Sequence, residues 1–219
     1  MEHSVFDRQA NFEDRPIGAA AYNLIIGLTL CWGFLVNWWM VGNVPVEWIR
    51  GLNPWIFYIG YFACCLAGAY LFSSSSNPVV SFLGYNLVVV PFGLIVNLVV
   101  ARYDPQLVLQ AIRVTGLVTV GMMCAGSLFP AFFQRIGSTL FIALLLVIVV
   151  ELVEVFVFGV HHGILDWIVA VIFCGYIGYD WARANQIPKT LDNAIDSAAA
   201  LYMDIINLFL RVLRILGRK

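Results

Sequence analysis

Charge is what this sequence has least of. Only 11% of its 219 residues are charged, and the formal net charge is −1. An ordinary soluble domain carries about 25%. So even a balance excludes a protein that holds nucleic acid through a basic surface. Metal-ligand patterns are missing as well. There are three histidines, two of them adjacent (His161 and His162), and no Cys-x-x-Cys. The five cysteines, Cys31, Cys64, Cys65, Cys124 and Cys174, all sit inside apolar runs. Zinc-type spacing is absent, the thiols read as small buried hydrophobes, and no cofactor is expected. Low complexity is confined to Ser73–Ser76. The first sixteen residues are polar and acidic, without the basic start and apolar run of a cleavable signal, so none is expected.

What the chain has in excess is apolar surface. Hydrophobic residues make up 62%, where about 45–50% is usual. That excludes disorder, and a soluble surface free of large apolar patches could not be kept. An integral membrane protein remains, with the lipid bilayer as its solvent. A spanning helix needs about 20 mostly apolar residues. The runs that qualify are Ile17–Val41, Pro54–Phe72, Val79–Val100, Leu107–Phe129, Ser138–Phe158 and Ile164–Ala182. Helix breakers joined to polar residues separate them: Gly42-Asn43-Val44-Pro45, the serines with Asn77-Pro78, Tyr103-Asp104-Pro105, Phe129-Pro130, Gly159 to Gly163, and Gln186-Ile187-Pro188. Pro91 falls inside the third run, where a kink is expected. The organisation expected is a polar tail over residues 1–16 and one membrane domain over 17–217.

The segment from Thr190 to Lys219 is helical by composition but only half apolar. Asn193, Ser197, Asp204, Asn207, Arg211, Arg214 and Arg218 recur at steps of three and four, with Ala200 filling the gap, so they share one helix face. Such a helix lies in the membrane interface with its stripe toward water, or stands in a bundle with its stripe inward. Asp204, flanked by Met203 and Ile205, favours the bundle. The count of positive charges leaves open whether this helix crosses or re-enters.

Acids at bilayer depth are costly and tend to be functional. Glu151, Glu154, Asp180 and Asp204 qualify. Asp180 closes the sixth run in Gly178-Tyr179-Asp180, and Asp204 lies mid-way along the last helix. A short loop joins those two helices, so they are expected to be antiparallel neighbours. Asp180 lies about two turns before Pro188 and Asp204 about four turns after it. Contact then calls for part of the Thr190 region to lie in the interface. Two carboxyls in a low-dielectric site share a proton, and such a pair can sense pH, bind a cation or do acid/base work. The competing reading is that each acid caps backbone or pairs locally with Arg183 or Arg211. Glu151 and Glu154, one turn apart, look outward for partners on other helices and form with Asn207 a second candidate polar site. His161, His162 and Asp166 read as caps of the next turn. Asn23, Asn37, Asn86 and Asn97 read as hydrogen-bonding glue between helices.

Leu201-Tyr202-Met203-Asp204-Ile205-Ile206-Asn207-Leu208-Phe209 resembles the last helix of the Bax inhibitor-1 family, which reads roughly Leu-Tyr-Leu-Asp-Phe-Ile-Asn-Leu-Phe. Leu165-Asp166 and Tyr179-Asp180 are similar to the start and end of the family's preceding helix, and Asn77-Pro78 matches its second loop. The resemblance is specific from about Leu165 onward. It implies an all-α protein of seven transmembrane helices, six packed around a central semi-polar C-terminal helix. It also implies a pH-sensitive calcium leak, with calcium as the ion carried and Asp180 and Asp204 as the paired aspartates that sense protons and meet the ion. Some bacterial members latch the first aspartate with a basic residue in the second helix; here the second span carries no charge. A monomer in a bacterial inner or cell membrane is expected, with protein partners unspecified, no nucleic acid and no enzymatic activity.

Two other classes fit some of the residues. Presenilin-like intramembrane aspartyl proteases also place Tyr-Asp in the sixth span, but their second motif is Gly-x-Gly-Asp followed by Pro-Ala-Leu. This chain has Leu-Tyr-Met-Asp and no Pro-Ala-Leu. A non-conducting membrane regulator would act through protein or lipid partners, with the basic C-terminal end as a handle.

Overall fold

The computed structural model describes residues 16–159 and 162–218. The polar tail expected over residues 1–16 therefore falls outside them except for Pro16, as do His161 and Lys219. The described residues are helical throughout their regular structure: α1 (Ala19–Asn43), α2 (Val46–Arg50), α3 (Pro54–Ser74), α4 (Pro78–Val100), α5 (Pro105–Leu128), α6 (Pro130–Val153), α7 (Gly163–Ala184) and α8 (Leu191–Leu216). A single π turn, Glu154–Phe158, prolongs α6 and ends at Gly159 in the left-handed conformation. Six helices are long and apolar enough to cross a membrane: α1, α3, α4, α5, α6 with its π turn, and α7.

The breaks in the sequence become helix starts by one repeated device. Proline opens α3, α4, α5 and α6, where its missing N–H costs nothing. Before three of those prolines an Asn or Asp caps the free amides of the first turn: Asn53 accepts from the Trp55 and Ile56 N–H groups, Asn77 from Val79 and Asp104 from Gln106. α6 begins at Pro130, eight residues before the expected Ser138, because Gln134 and Arg135 dilute the apolar run without breaking it. The five-residue α2 is too short to show in a periodicity. α4 runs through Pro91.

The chain forms two compact units. The first holds α1 to α4 and the beginning of α8, up to Tyr202. Here α4 packs against α1 and α3, and its crossing with α3 is backbone on backbone. A Cβ on Gly68 would come within 2.5 Å of the Gly84 carbonyl oxygen. The start of α8 runs in the same direction as α1 and α4. Ser81, in the first turn of α4, donates to Asp192 Oδ1 at 2.7 Å, and further along Phe92 packs on Tyr202. Tyr22 and Ser197 hydroxyls lie 3.0 Å apart, and Asn37 donates to the Tyr202 hydroxyl. The sequence reading of Asn37 as interhelical glue holds, and Asn97 does the same by donating to the Met40 and Val44 carbonyls.

The second unit holds α5, α6, α7 and α8 from Met203 onward. α7 packs on α5 and α6 through glycines. A Cβ on Gly126 would come within 2.4 Å of the Gly178 carbonyl oxygen, and one on Gly178 would strike the Phe133 ring. In this unit α8 runs opposite to α7, with Asp204 beside Asp180 near the end of α7 and Arg218 beside Asp166 near its start.

Both halves of α8 are buried, although α8 is not among the six helices apolar enough to span alone. Thr190 and Asp192 are buried too. The first turns of α8 are thus held inside the first unit by α1 and α4, not laid on a surface as the depth argument required. On the other six long helices, large apolar side chains such as Trp38, Trp55, Leu117 and Phe156 are exposed. Only acyl chains can cover them without cost.

Candidate functional site: a carboxyl pair and an arginine cluster on the last helix

The first site sits one turn before the end of α7. Asp180 and Asp204 are 9% and 7% exposed, and their carboxyl groups are within hydrogen-bonding reach of each other. Two residues before Asp180, α7 lies close against α5 at Gly178. Asp204 Oδ2 receives no hydrogen bond from any described donor. Tyr176, one turn earlier on α7, lies near both acids. The charge of Arg183 acts on Asp180, and its guanidinium donates to the Tyr179 hydroxyl and lies 5.2 Å from that ring. Arg211 does not reach Asp204 at all. Of the local pairings weighed for the two aspartates, the one between Arg211 and Asp204 is not present among the described residues, while Arg183 is close enough to act on Asp180.

The second site lies at the opposite end of α7. Arg211 binds Glu151 through both terminal nitrogens, the Nη2–Oε2 contact being 2.9 Å, and also reaches Asp166 Oδ1 at 2.8 Å. Arg218 Nη2 lies 2.7 Å from Asp166 Oδ2, and Arg214 Nη1 is 3.6 Å from Oδ1. Asp166 itself has no exposed surface. It also stands in the first turn of α7, whose N-cap residue, His162, makes no capping side-chain bond. His162 stands 2.7 Å from Glu154 Oε1 through Nδ1. Glu151 and Glu154 do look to partners beyond their own helix, but to different ones, and Asn207 turns its amide to the Met203 carbonyl. The structure does not gather these three into one site.

Residues 19–219 match the family model described as inhibitor of apoptosis-promoting Bax1. The chain belongs to the Bax inhibitor-1 family. Among similar proteins are an uncharacterized membrane protein of Vibrio cholerae, 31% identical over 66% of this chain and 65% of that one. A BI1-like protein of Arabidopsis thaliana is 36% identical over 53% of this chain and 47% of its own length. Protein lifeguard 4 of Mus musculus is 33% identical over 56% and 52%. The matched stretch thus covers about half to two thirds of these relatives. With the apolar helices, family membership makes the chain an integral membrane protein.

Asp192 and Asp196 also belong to the buried polar surface of α8, at 2% and 1% exposure, and the periodicity argument passed over them. The signal was present: they sit four residues apart, one position before the stripe residues Asn193 and Ser197. Among the described residues no group of three or more His, Cys, Asp or Glu is placed to hold a metal ion.

Proposed function

We propose that this Bax inhibitor-1 family protein is a pH-sensitive calcium leak whose path is controlled by Asp180 and Asp204. In this reading α8 crosses the membrane as a seventh, semi-polar helix surrounded by the other six, the protein is not an enzyme, and it works as a monomer in a bacterial cell membrane. The observation that carries the proposal is the meeting of two buried carboxyl groups with no donor supplied to Asp204 Oδ2. Two ionised carboxylates only accept hydrogen bonds. One proton between them supplies the missing donor and ties α7 to α8. When that proton leaves at higher pH, two like charges repel by about 4 kcal/mol at 4 Å and an effective dielectric of 20. The helices then part unless a cation bridges them, and calcium favours hard carboxylate oxygens. The charge that opens the path attracts the ion that crosses it.

The test is initial calcium flux into liposomes carrying the purified protein, scanned across pH. Wild type is expected to leak more as pH rises. Asp204→Asn and Asp180→Asn should each flatten the profile while leaving the protein folded, because the titration belongs to the pair. Glu154→Gln, whose partner is His162, should leave it in place. A profile that survives in both aspartate variants would overturn the gating, and no flux at any pH would favour a regulator acting through partners.

A further inference from the structure

The arginine cluster has more positive charge than its acids absorb. Three guanidinium groups converge on two carboxylates, Asp166 and Glu151, at the membrane end of α7. Their shares are unequal. Arg211 is bound to both acids and its side chain is 16% exposed. Arg218 spends one nitrogen on Asp166 and lies against the first residue of α7, where a Cβ on Gly163 would collide with Nη1. Arg214 has no hydrogen bond to any described residue, only the 3.6 Å approach to Asp166, and its side chain is 36% exposed. A helix C-terminus welcomes arginines through its dipole, but none of the three donates to a described α8 carbonyl. Beside Arg218, the first turn of α7 presents amides that the His162 side chain does not cap.

We infer that Arg214 and Arg218, over the uncapped start of α7, form a binding site for the phosphate of an anionic phospholipid headgroup. The occupant follows from the place. The cluster stands at the first turn of α7, the end of a helix apolar enough to span, where lipid headgroups are expected, and the neighbouring helical surface is apolar enough to seat acyl chains. Guanidinium forks match phosphate oxygens in pairs, and the donors left open on Arg214 and Arg218 suit that geometry. Asp166 is the anchor that holds Arg211 and Arg218 at this spot. This assignment is independent of calcium conduction.

The test uses the full chain in nanodiscs of phosphatidylcholine, alone or with a quarter phosphatidylglycerol. Native mass spectrometry after release counts retained lipids, and thermal unfolding is followed in both. Wild type should retain phosphatidylglycerol several-fold over phosphatidylcholine and unfold several degrees higher when it is present. Arg214→Gln, which breaks no hydrogen bond to a described residue, should unfold as wild type does in pure phosphatidylcholine yet lose most of both effects. Arg214→Lys should keep part of them. Gly163→Ala, which displaces Arg218, should weaken retention without touching Arg214. Equal retention of the two lipids, or retention unchanged in Arg214→Gln, would overturn the site. So would an equal rise in unfolding temperature from millimolar inorganic phosphate in lipid-free detergent, which would make the ligand a free anion.

Discussion

A carboxylate with no exposure held by Arg211 and Arg218, as at Asp166, stabilises only together with those two partners. Removing one partner of a buried charge pair costs roughly 3–5 kcal/mol, because the other charges stay where they were. Asp166→Ala is therefore expected to lower the unfolding midpoint in detergent far more than Asp104→Ala. The latter loses one N-cap bond of α5, worth about 1 kcal/mol. Similar midpoints for the two would mean that the arginines find water once Asp166 is gone. The contrast also marks what could be read from residues alone. Asp180 and Asp204 stand out because a charge inside an apolar run has no innocent reason to be there. Asp166, three residues into a helix, looks like an ordinary first-turn acid. Its partner Arg211 is 45 residues further on, and nothing in the local pattern announces it.

Helices were the easier part, because proline and a capping Asn or Asp mark their starts in the sequence itself. Their packing partners were not, since a glycine that serves a crossing looks like one that faces lipid. Gly126 and Gly121 differ by five positions and by everything around them. A Cβ at Gly126 meets a backbone oxygen that cannot swing away, whereas one at Gly121 meets nothing within 4 Å. Gly126→Ala should destabilise by about 1–3 kcal/mol through overpacking. On the proposed calcium leak it should also shift the flux, since α7 would be pushed away two residues before Asp180. Gly121→Ala should be neutral or gain up to about 1 kcal/mol of helix propensity. Unfolding by detergent titration separates the two outcomes, and equal behaviour would show that α5 does not rest on α7 at Gly178.

At the scale of the whole molecule, the chain divides into helices that lipid accepts and one that it does not. Six can span by composition. α8, with Asp192, Asp196, Asp204 and the arginines, would leave charges facing hydrocarbon. Its stability is that of its partners: Ser81, Tyr22 and Asn37 in the first unit, and Asp180, Asp166 and Glu151 in the second. A chain cut after Pro188 should still insert its six apolar helices but be cleaved rapidly by added protease. Co-expressing residues 189–219 as a separate piece should restore resistance, and a cut chain as resistant as the whole one would refute this dependence. Synthesis on the ribosome gives the same feature a direction in time. Every one of those partners lies earlier in the chain, so each is in place before α8 leaves the exit tunnel. Until then Asp166 and Glu151 wait in the bilayer without their arginines and Asp180 without its twin. The nascent protein thus lacks these pairings until α8 packs, and that interval is when quality control would find it.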